Sequence, residues 1–172
     1  MARRVSMLPL VASLAFLAFG QPALAGVLAQ PTGPVLLTVT GPVTESNGNH
    51  AAAFDLDMLK ALPATTFTTS TIWTDGPQTF TGVSLKVLLD QLGIKSGLIS
   101  AVAINDYAVT IPVSDAVEGG PIIAYEANGK PMPVREKGPL WIVYPYDHKD
   151  AYRSEVIYSR SIWQLAKIAA KP

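Results

Sequence analysis

Trp141, Tyr144, Tyr146 and Asp147 crowd into one short stretch, Gly138-Pro139-Leu140-Trp141-Ile142-Val143-Tyr144-Pro145-Tyr146-Asp147. Three large rings beside one carboxylate suit a flat, nitrogen-rich heterocycle: the rings offer faces for stacking, and the carboxylate accepts paired N–H donors. The same residues also fit a plainer arrangement, a core strand followed by a surface turn, and alone they read first that way. β-branched and aromatic content makes residues 140–144 a short buried strand. Pro145 cannot donate to a ladder, so it ends the strand and sets the direction in which Tyr146 and Asp147 emerge. Side chains alternate along a strand, which places Trp141 and Tyr144 on opposite faces with at least one in the core. Tyr146, beyond the proline, is the better ligand contact. Asp147 is more often a turn residue than a ligand acceptor.

Other chemistries are excluded by composition. The chain has no cysteine and two histidines, His50 and His148. Thiolate ligands and a cysteine nucleophile are therefore absent, and no H-E-x-x-H or comparable cluster assembles the three or four ligands zinc needs. Arg3 and Arg4 precede an apolar run over residues 7–19, and Ala23-Leu24-Ala25 has the small-x-small form of a signal-peptidase site. Residues 1–25 read as a secretory signal peptide, too short in its apolar part for a comfortable membrane span. A periplasmic or secreted location is expected, without stable membrane insertion after cleavage. Removing Arg3 and Arg4 from the 13 basic residues leaves 11 against 13 acidic ones. No basic block survives, so nucleic acid has no electrostatic footprint. The remainder, residues 26–172, suits one domain held by packing alone.

The elements that must position these residues are many and short. Residues 35–40, 51–54, 65–73 and 121–125 read as strands, and 101–104 with 107–111 as a hairpin across Asn105-Asp106. Asp55 or Asp57 caps a helix over 56–62 stopped by Pro63. Leu85, Leu88, Leu89 and Leu92 make one apolar stripe of a helix over 85–92, with Ser84 before it and Gly93 after it. Asn128-Gly129 is a second hairpin turn, residues 130–137 a polar loop, and residues 148–160 a polar segment with a few aromatics. Residues 162–168 close the domain as either strand or helix. The whole is an α+β domain, mostly sheet.

Three spaced segments, Phe80-Thr81-Gly82-Val83-Ser84-Leu85-Lys86-Val87-Leu88-Leu89, Ile123-Ala124-Tyr125-Glu126-Ala127-Asn128-Gly129-Lys130-Pro131-Met132-Pro133 and Gly138-Pro139-Leu140-Trp141-Ile142-Val143-Tyr144-Pro145, together resemble the molybdopterin-binding domain of sulfite oxidases and of periplasmic methionine sulfoxide reductases. The resemblance implies a sulfite-oxidase-like fold with a pterin in a cleft. It also marks departures. A cysteine that ligates molybdenum in that family falls near Ser70 and Thr71, where a hydroxyl is a poor substitute for a soft thiolate. The family places an arginine, on the phosphate side of the cofactor, where this chain has Trp141. It places a basic residue before the last apolar pattern, which Arg160 matches, or Arg153 with Ser154 in another register.

By the same resemblance the loop at Asp106 and Tyr107 borders the cofactor cleft. Trp73, just after the vacated ligand position, is a pocket wall or a core anchor. Tyr158 and Ser159, beside the arginines, suit a ligand rim or a partner contact. A cleft that loses a cation and gains an indole favours an unmodified, metal-free pterin over a phosphorylated molybdenum cofactor, with molybdopterin still possible. The leading expectation is similarity to small periplasmic pterin-binding proteins that partner a membrane sensor, such as a cyclic-di-GMP enzyme. The alternatives are a molybdopterin-dependent oxidoreductase with an oxygen ligand in place of cysteine, and a structural module whose cleft has closed.

Overall fold

The computed structural model describes residues 27–171. The expected signal peptide lies outside the described residues. Mixed α+β architecture dominated by strands is what the chain forms. Among the described residues two five-stranded sheets carry it, with three short helices between and beside them.

In the first sheet the order is β2 (Ala51–Phe54), β1 (Leu37–Thr40), β10 (Leu165–Lys171), β5 (Leu98–Ala103), β6 (Ala108–Pro112). β1 and β10 run parallel and every other pair is antiparallel. The closing segment is thus a strand, inserted between β1 and β5, and the last strand of the chain completes the sheet that the first one begins. The second sheet places β3 (Ala64–Thr69) beside β4 (Gln78–Ser84) and β4 beside β7 (Ile122–Ala127). β8 (Lys130–Pro131) and β9 (Trp141–Val143) pair with opposite ends of β7.

The Thr-rich strand works by cross-strand pairing. Thr66 faces Thr81 and Thr68 faces Thr79, their hydroxyls 2.9 and 2.8 Å apart on the exposed side, while Phe67 and Thr69 point inward. Such pairs are the unit of sheet stabilisation. Where β4 meets β7 the register shifts at Gly82, whose absent side chain lets the Ile123 carbonyl in: a Cβ there would stand 2.1 Å from that oxygen. Helix α2 (Leu85–Gln91) buries Leu85, Leu88 and Leu89, as its stripe predicts, and Gly93 ends it with a φ of +73°. Ser84 precedes it without making a side-chain cap.

Asp55 caps α1 (Leu56–Ala61) and does more. Its Oδ1 accepts from the Met58 amide at 2.8 Å, and its Oδ2 accepts from the amides of Thr32 and Gly33 at 2.8 and 2.9 Å. The Met58 amide and then the Gly33 amide hold this carboxyl, 2% exposed, below its ordinary value. A depressed carboxyl contributes stability that is present above its unfolded pKa and lost as pH falls through the folded one. In urea titrations at a series of pH values, the native protein should therefore lose its advantage over Asp55→Asn below about pH 4. Parallel curves for the two proteins would remove that role.

β4 is a strand where the sequence shows only the lead into α2, and two further elements differ from the sequence expectation. β3 ends at Thr69 rather than at residue 73, because the chain turns there to meet Asp147: the Ser70 amide donates to Asp147 Oδ2 and the Asp147 amide to Thr69 Oγ1. Within the polar segment lies a helix, α3 (Glu155–Arg160), which buries only Ile157 and so has no apolar stripe to announce it. Among the described residues no helix is long and apolar enough to cross a membrane.

Candidate functional site

Trp73 is the hub of an aromatic layer. It stands just past β3, and its ring meets those of Trp141, Tyr146, Tyr158 and Trp163 at centroid distances of 5.9, 6.3, 5.8 and 5.6 Å, all edge to face. Four different parts of the chain supply these rings: the loop after β3, β9 with its exit, α3, and the approach to β10. Edge-to-face contacts of this kind add about 0.5–1.5 kcal/mol each beyond area burial.

Beside the layer opens a cavity of about 400 Å³ lined by Trp73, Ala103, Asn105, Tyr107, Tyr158, Ser159, Ser161, Ile162 and Trp163. Its size suits one small heterocycle. Of the residues expected from sequence, Trp73, Tyr107, Tyr158 and Ser159 meet here. Ser161 and Trp163 were not expected. Asn105 belongs to the hairpin loop that the resemblance sets beside the cleft, and its Oδ1 accepts from the Tyr107 amide at 3.2 Å, which fixes the loop on the rim. Trp163, 37% exposed in a closing segment whose form was undecided, offered a signal in its bulk alone.

The opening stretch goes elsewhere. Trp141, Tyr144 and Tyr146 are 2%, 0% and 1% exposed. Residues on both faces of β9 and its exit are covered, so alternation does not expose either side. Tyr146, expected as the better ligand contact, donates its hydroxyl to Ser161 at 2.5 Å, and Ser161 donates on to the Ile157 carbonyl at 2.9 Å. Burial pushes the Tyr146 hydroxyl up to about 12, the Ser161 bond pulling against it. Its ring braces Trp73 and Tyr158 from behind. Those two, and not Tyr146, line the cavity.

Asp147 is a clasp rather than an open acceptor. Its Oδ2 takes the Ser70 amide at 2.5 Å and its Oδ1 takes Arg153 Nη2 at 2.9 Å. The Ser70 bond first, and Arg153 after it, hold the carboxyl below its usual range. Arg153, 3.8 Å from Asp150 as well, is spent on this clasp. Ser154 donates to the Ala151 carbonyl at 3.3 Å, away from the cavity lining. Asp106 sits exposed at the hairpin tip with a φ of +64°.

Arg160 is committed too. Its Nη1 lies 2.8 Å from Asp115 Oδ2, which also accepts the Tyr144 hydroxyl at 2.8 Å. Burial, then the Asp115 carboxylate, drive the Tyr144 hydroxyl far above its ordinary value. This cluster ties α3, and with it Tyr158 and Ser159, to the turn after β6. Tyr144→Phe should cost about 1.5–3 kcal/mol in chemical denaturation, the worth of a bond to a charged partner. Ligand affinity should stay unchanged, since Tyr144 does not line the cavity.

The phosphorylated molybdenum cofactor that the resemblance implies fits this donor set poorly. Indoles, phenols, one amide and two hydroxyls line the cavity, with neither a thiolate nor a cation. At the expected metal-ligand position, Thr71 Oγ1 bonds Thr74 Oγ1 at 2.8 Å and accepts from the Trp73 amide at 3.0 Å, and neither Ser70 nor Thr71 lines the cavity. A phosphate monoester would find no charged partner among the lining residues. A neutral ring with N–H and carbonyl edges fits: aromatic faces to stack on, and the Asn105 amide to pair with its edge, while Ser159 and Ser161, which donate to the Val156 and Ile157 carbonyls, are left as acceptors.

Among the described residues no group of three or more His, Cys, Asp or Glu side chains is placed to hold a metal ion. A search of curated proteins finds no match. The family model for the oxidoreductase molybdopterin binding domain matches residues 36–148. That span holds both sheets except β10 and stops before α3, so Tyr158, Ser159, Ser161 and Trp163 lie beyond it. With well over half of its length matched, the chain belongs to the oxidoreductase molybdopterin-binding domain family, the sulfite oxidase family of folds.

Proposed function

We propose that this protein is a non-catalytic, exported member of that family, which binds an unmodified, metal-free pterin and reports its occupancy to the periplasmic domain of a membrane sensor, such as a cyclic-di-GMP enzyme. The observation that carries the ligand half is the lining of the cavity. Four aromatic rings and three small polar side chains surround a hollow of about 400 Å³ with no charged group. The chain has no cysteine to supply the soft ligand that molybdenum takes in its relatives. Export rests on the pattern of residues 1–25 and the sensor on similarity to small periplasmic relatives.

The ligand half is tested by titrating the protein, purified from cells expressing the full chain, with biopterin and with a phosphorylated pterin while following tryptophan fluorescence. Biopterin should quench with saturation at micromolar concentration, and the phosphorylated compound should bind more weakly. Equal or tighter binding of the phosphorylated pterin, lost in Trp73→Ala, would favour the second reading, a molybdopterin-dependent oxidoreductase with an oxygen ligand, whose support is family membership itself.

A further inference from the structure

The first cavity leaves unexplained a second hollow, of about 550 Å³, on the other part of the aromatic layer. Trp73 and Trp163 line the first and Trp141 the second, and these rings are in edge contact, so one layer of indoles stands between the two. The second hollow has a different character. Buried Phe80, Met132 and Trp141 contribute apolar surface, while Lys130, Arg135 and Lys137 bring three cations against the single carboxylate of Glu136. Lys130 and Lys137 have no carboxylate partner among the described residues, and Arg135 approaches Glu136 only at 3.6 Å with both side chains largely exposed.

The loop that presents these charges is held, not loose. Gln164 clamps it from outside: its amide donates to the Lys137 carbonyl at 3.1 Å and its Nε2 to the Val134 carbonyl at 2.7 Å. The amides of Glu136 and Gly138 both donate to the Pro133 carbonyl, at 2.8 and 2.9 Å. Gly138 is packed so closely that a Cβ would overlap the Met132 carbonyl, 1.7 Å away. Lys137 keeps a left-handed backbone, φ +72°, which costs a non-glycine residue energy and persists where surrounding structure enforces it. Its Nζ lies 5.7 Å from the Trp141 ring and 6.0 Å from that of Trp163. Like charges fixed on a strapped loop repel one another unless an anion joins them. Because the loop is already ordered, an incoming anion bears little ordering entropy. Trp141 adds a last feature: its Nε1–H is buried and has no acceptor among the described residues.

We propose that this hollow is a second binding site, for a small ligand carrying an oxoanion (a phosphate or a carboxylate) on a flat apolar body. The body lies against Met132 and the edge of Trp141, and the oxoanion meets Lys130, Arg135 and Lys137. The site is independent of what fills the first cavity.

The three tryptophans of the chain are Trp73, Trp141 and Trp163. Their indole N–H signals in a nitrogen–proton correlation spectrum therefore report on this layer one ring at a time. Phenyl phosphate and benzoate are titrated separately into the purified full-length product. The expected result is saturable movement of the Trp141 signal with at least one probe, and the tighter probe tells phosphate from carboxylate. The triple variant Lys130→Gln, Arg135→Gln, Lys137→Gln should raise the midpoint about tenfold or more. Lys130 and Arg135 are exposed and Lys137 is half-buried beside the indoles, so circular dichroism and thermal unfolding check that the variant keeps its fold. Arg135→Gln alone should give a smaller rise in the same direction. Shifts that never saturate, shifts unchanged in the triple variant, or saturable movement of Trp73 without Trp141 would each overturn the proposal.

Discussion

Trp141→Ala should cost about 3–5 kcal/mol of folding stability, the range for truncating a large buried aromatic. That is a large part of the roughly 5–15 kcal/mol that holds a domain of ordinary size together. The ring is 2% exposed and packs against Phe80 at 5.3 Å, Trp73 at 5.9 Å and Trp163 at 6.3 Å, so its removal opens a void shared by both sheets' approaches to the site. β9 also pairs Trp141 with Ala124, and an isolated bridge joins it to Trp163, which fixes the backbone around the void and limits its collapse. Trp141→Arg, which places there the arginine that the resemblance implies, should cost at least as much. A guanidinium placed there meets indoles and a phenyl ring rather than a phosphate, and a buried unpaired charge is among the most costly of substitutions. Urea unfolding measures both. A loss below about 1 kcal/mol for either variant would mean that the indole layer is not the structural centre described here.

Trp73→Ala should weaken pterin binding by about tenfold to a hundredfold. Removal of one aromatic stacking partner from a flat nitrogen heterocycle typically costs about 1–3 kcal/mol, and each 1.4 kcal/mol is a factor of about ten. Trp73 is only partly buried and lies in a loop, so its loss should disturb the cavity more than the fold. Trp73→Phe keeps a face to stack on and should recover part of the affinity, which a merely structural role would not require. Calorimetric titration with biopterin gives the comparison, with thermal unfolding as the control. Unchanged affinity in Trp73→Ala would remove the cavity from consideration as the pterin site.

The parts of the fold that were legible in the sequence are those set by near neighbours. Asp55 caps α1 because its carboxylate reaches an amide three residues on. The leucine stripe of α2 and the positive φ of Gly93 follow from local spacing, as does the turn at Asn128 and Gly129, with φ of 51° and 72°. What was not legible depends on contacts between distant segments. Tyr146 looked free because it follows a proline, but Ser161, fifteen residues on, takes its hydroxyl and closes over it. Asp147 looked like an available acceptor because its partner, the Ser70 amide, lies at the far end of another strand. Trp163 joins the cavity only because β10 returns between β1 and β5 and carries the preceding residues across the mouth. The residue types in the site were readable; the walls they form were set by chain closure.

Native mass spectrometry of the protein purified from a host that makes the molybdenum cofactor addresses the binding claim most directly, because one spectrum weighs whatever the cavity retains. The expected spectrum carries an adduct with the mass of an unphosphorylated, metal-free pterin. A stoichiometric adduct with the mass and isotope pattern of a molybdenum dithiolene cofactor would contradict a neutral cavity built from indoles, phenols and hydroxyls.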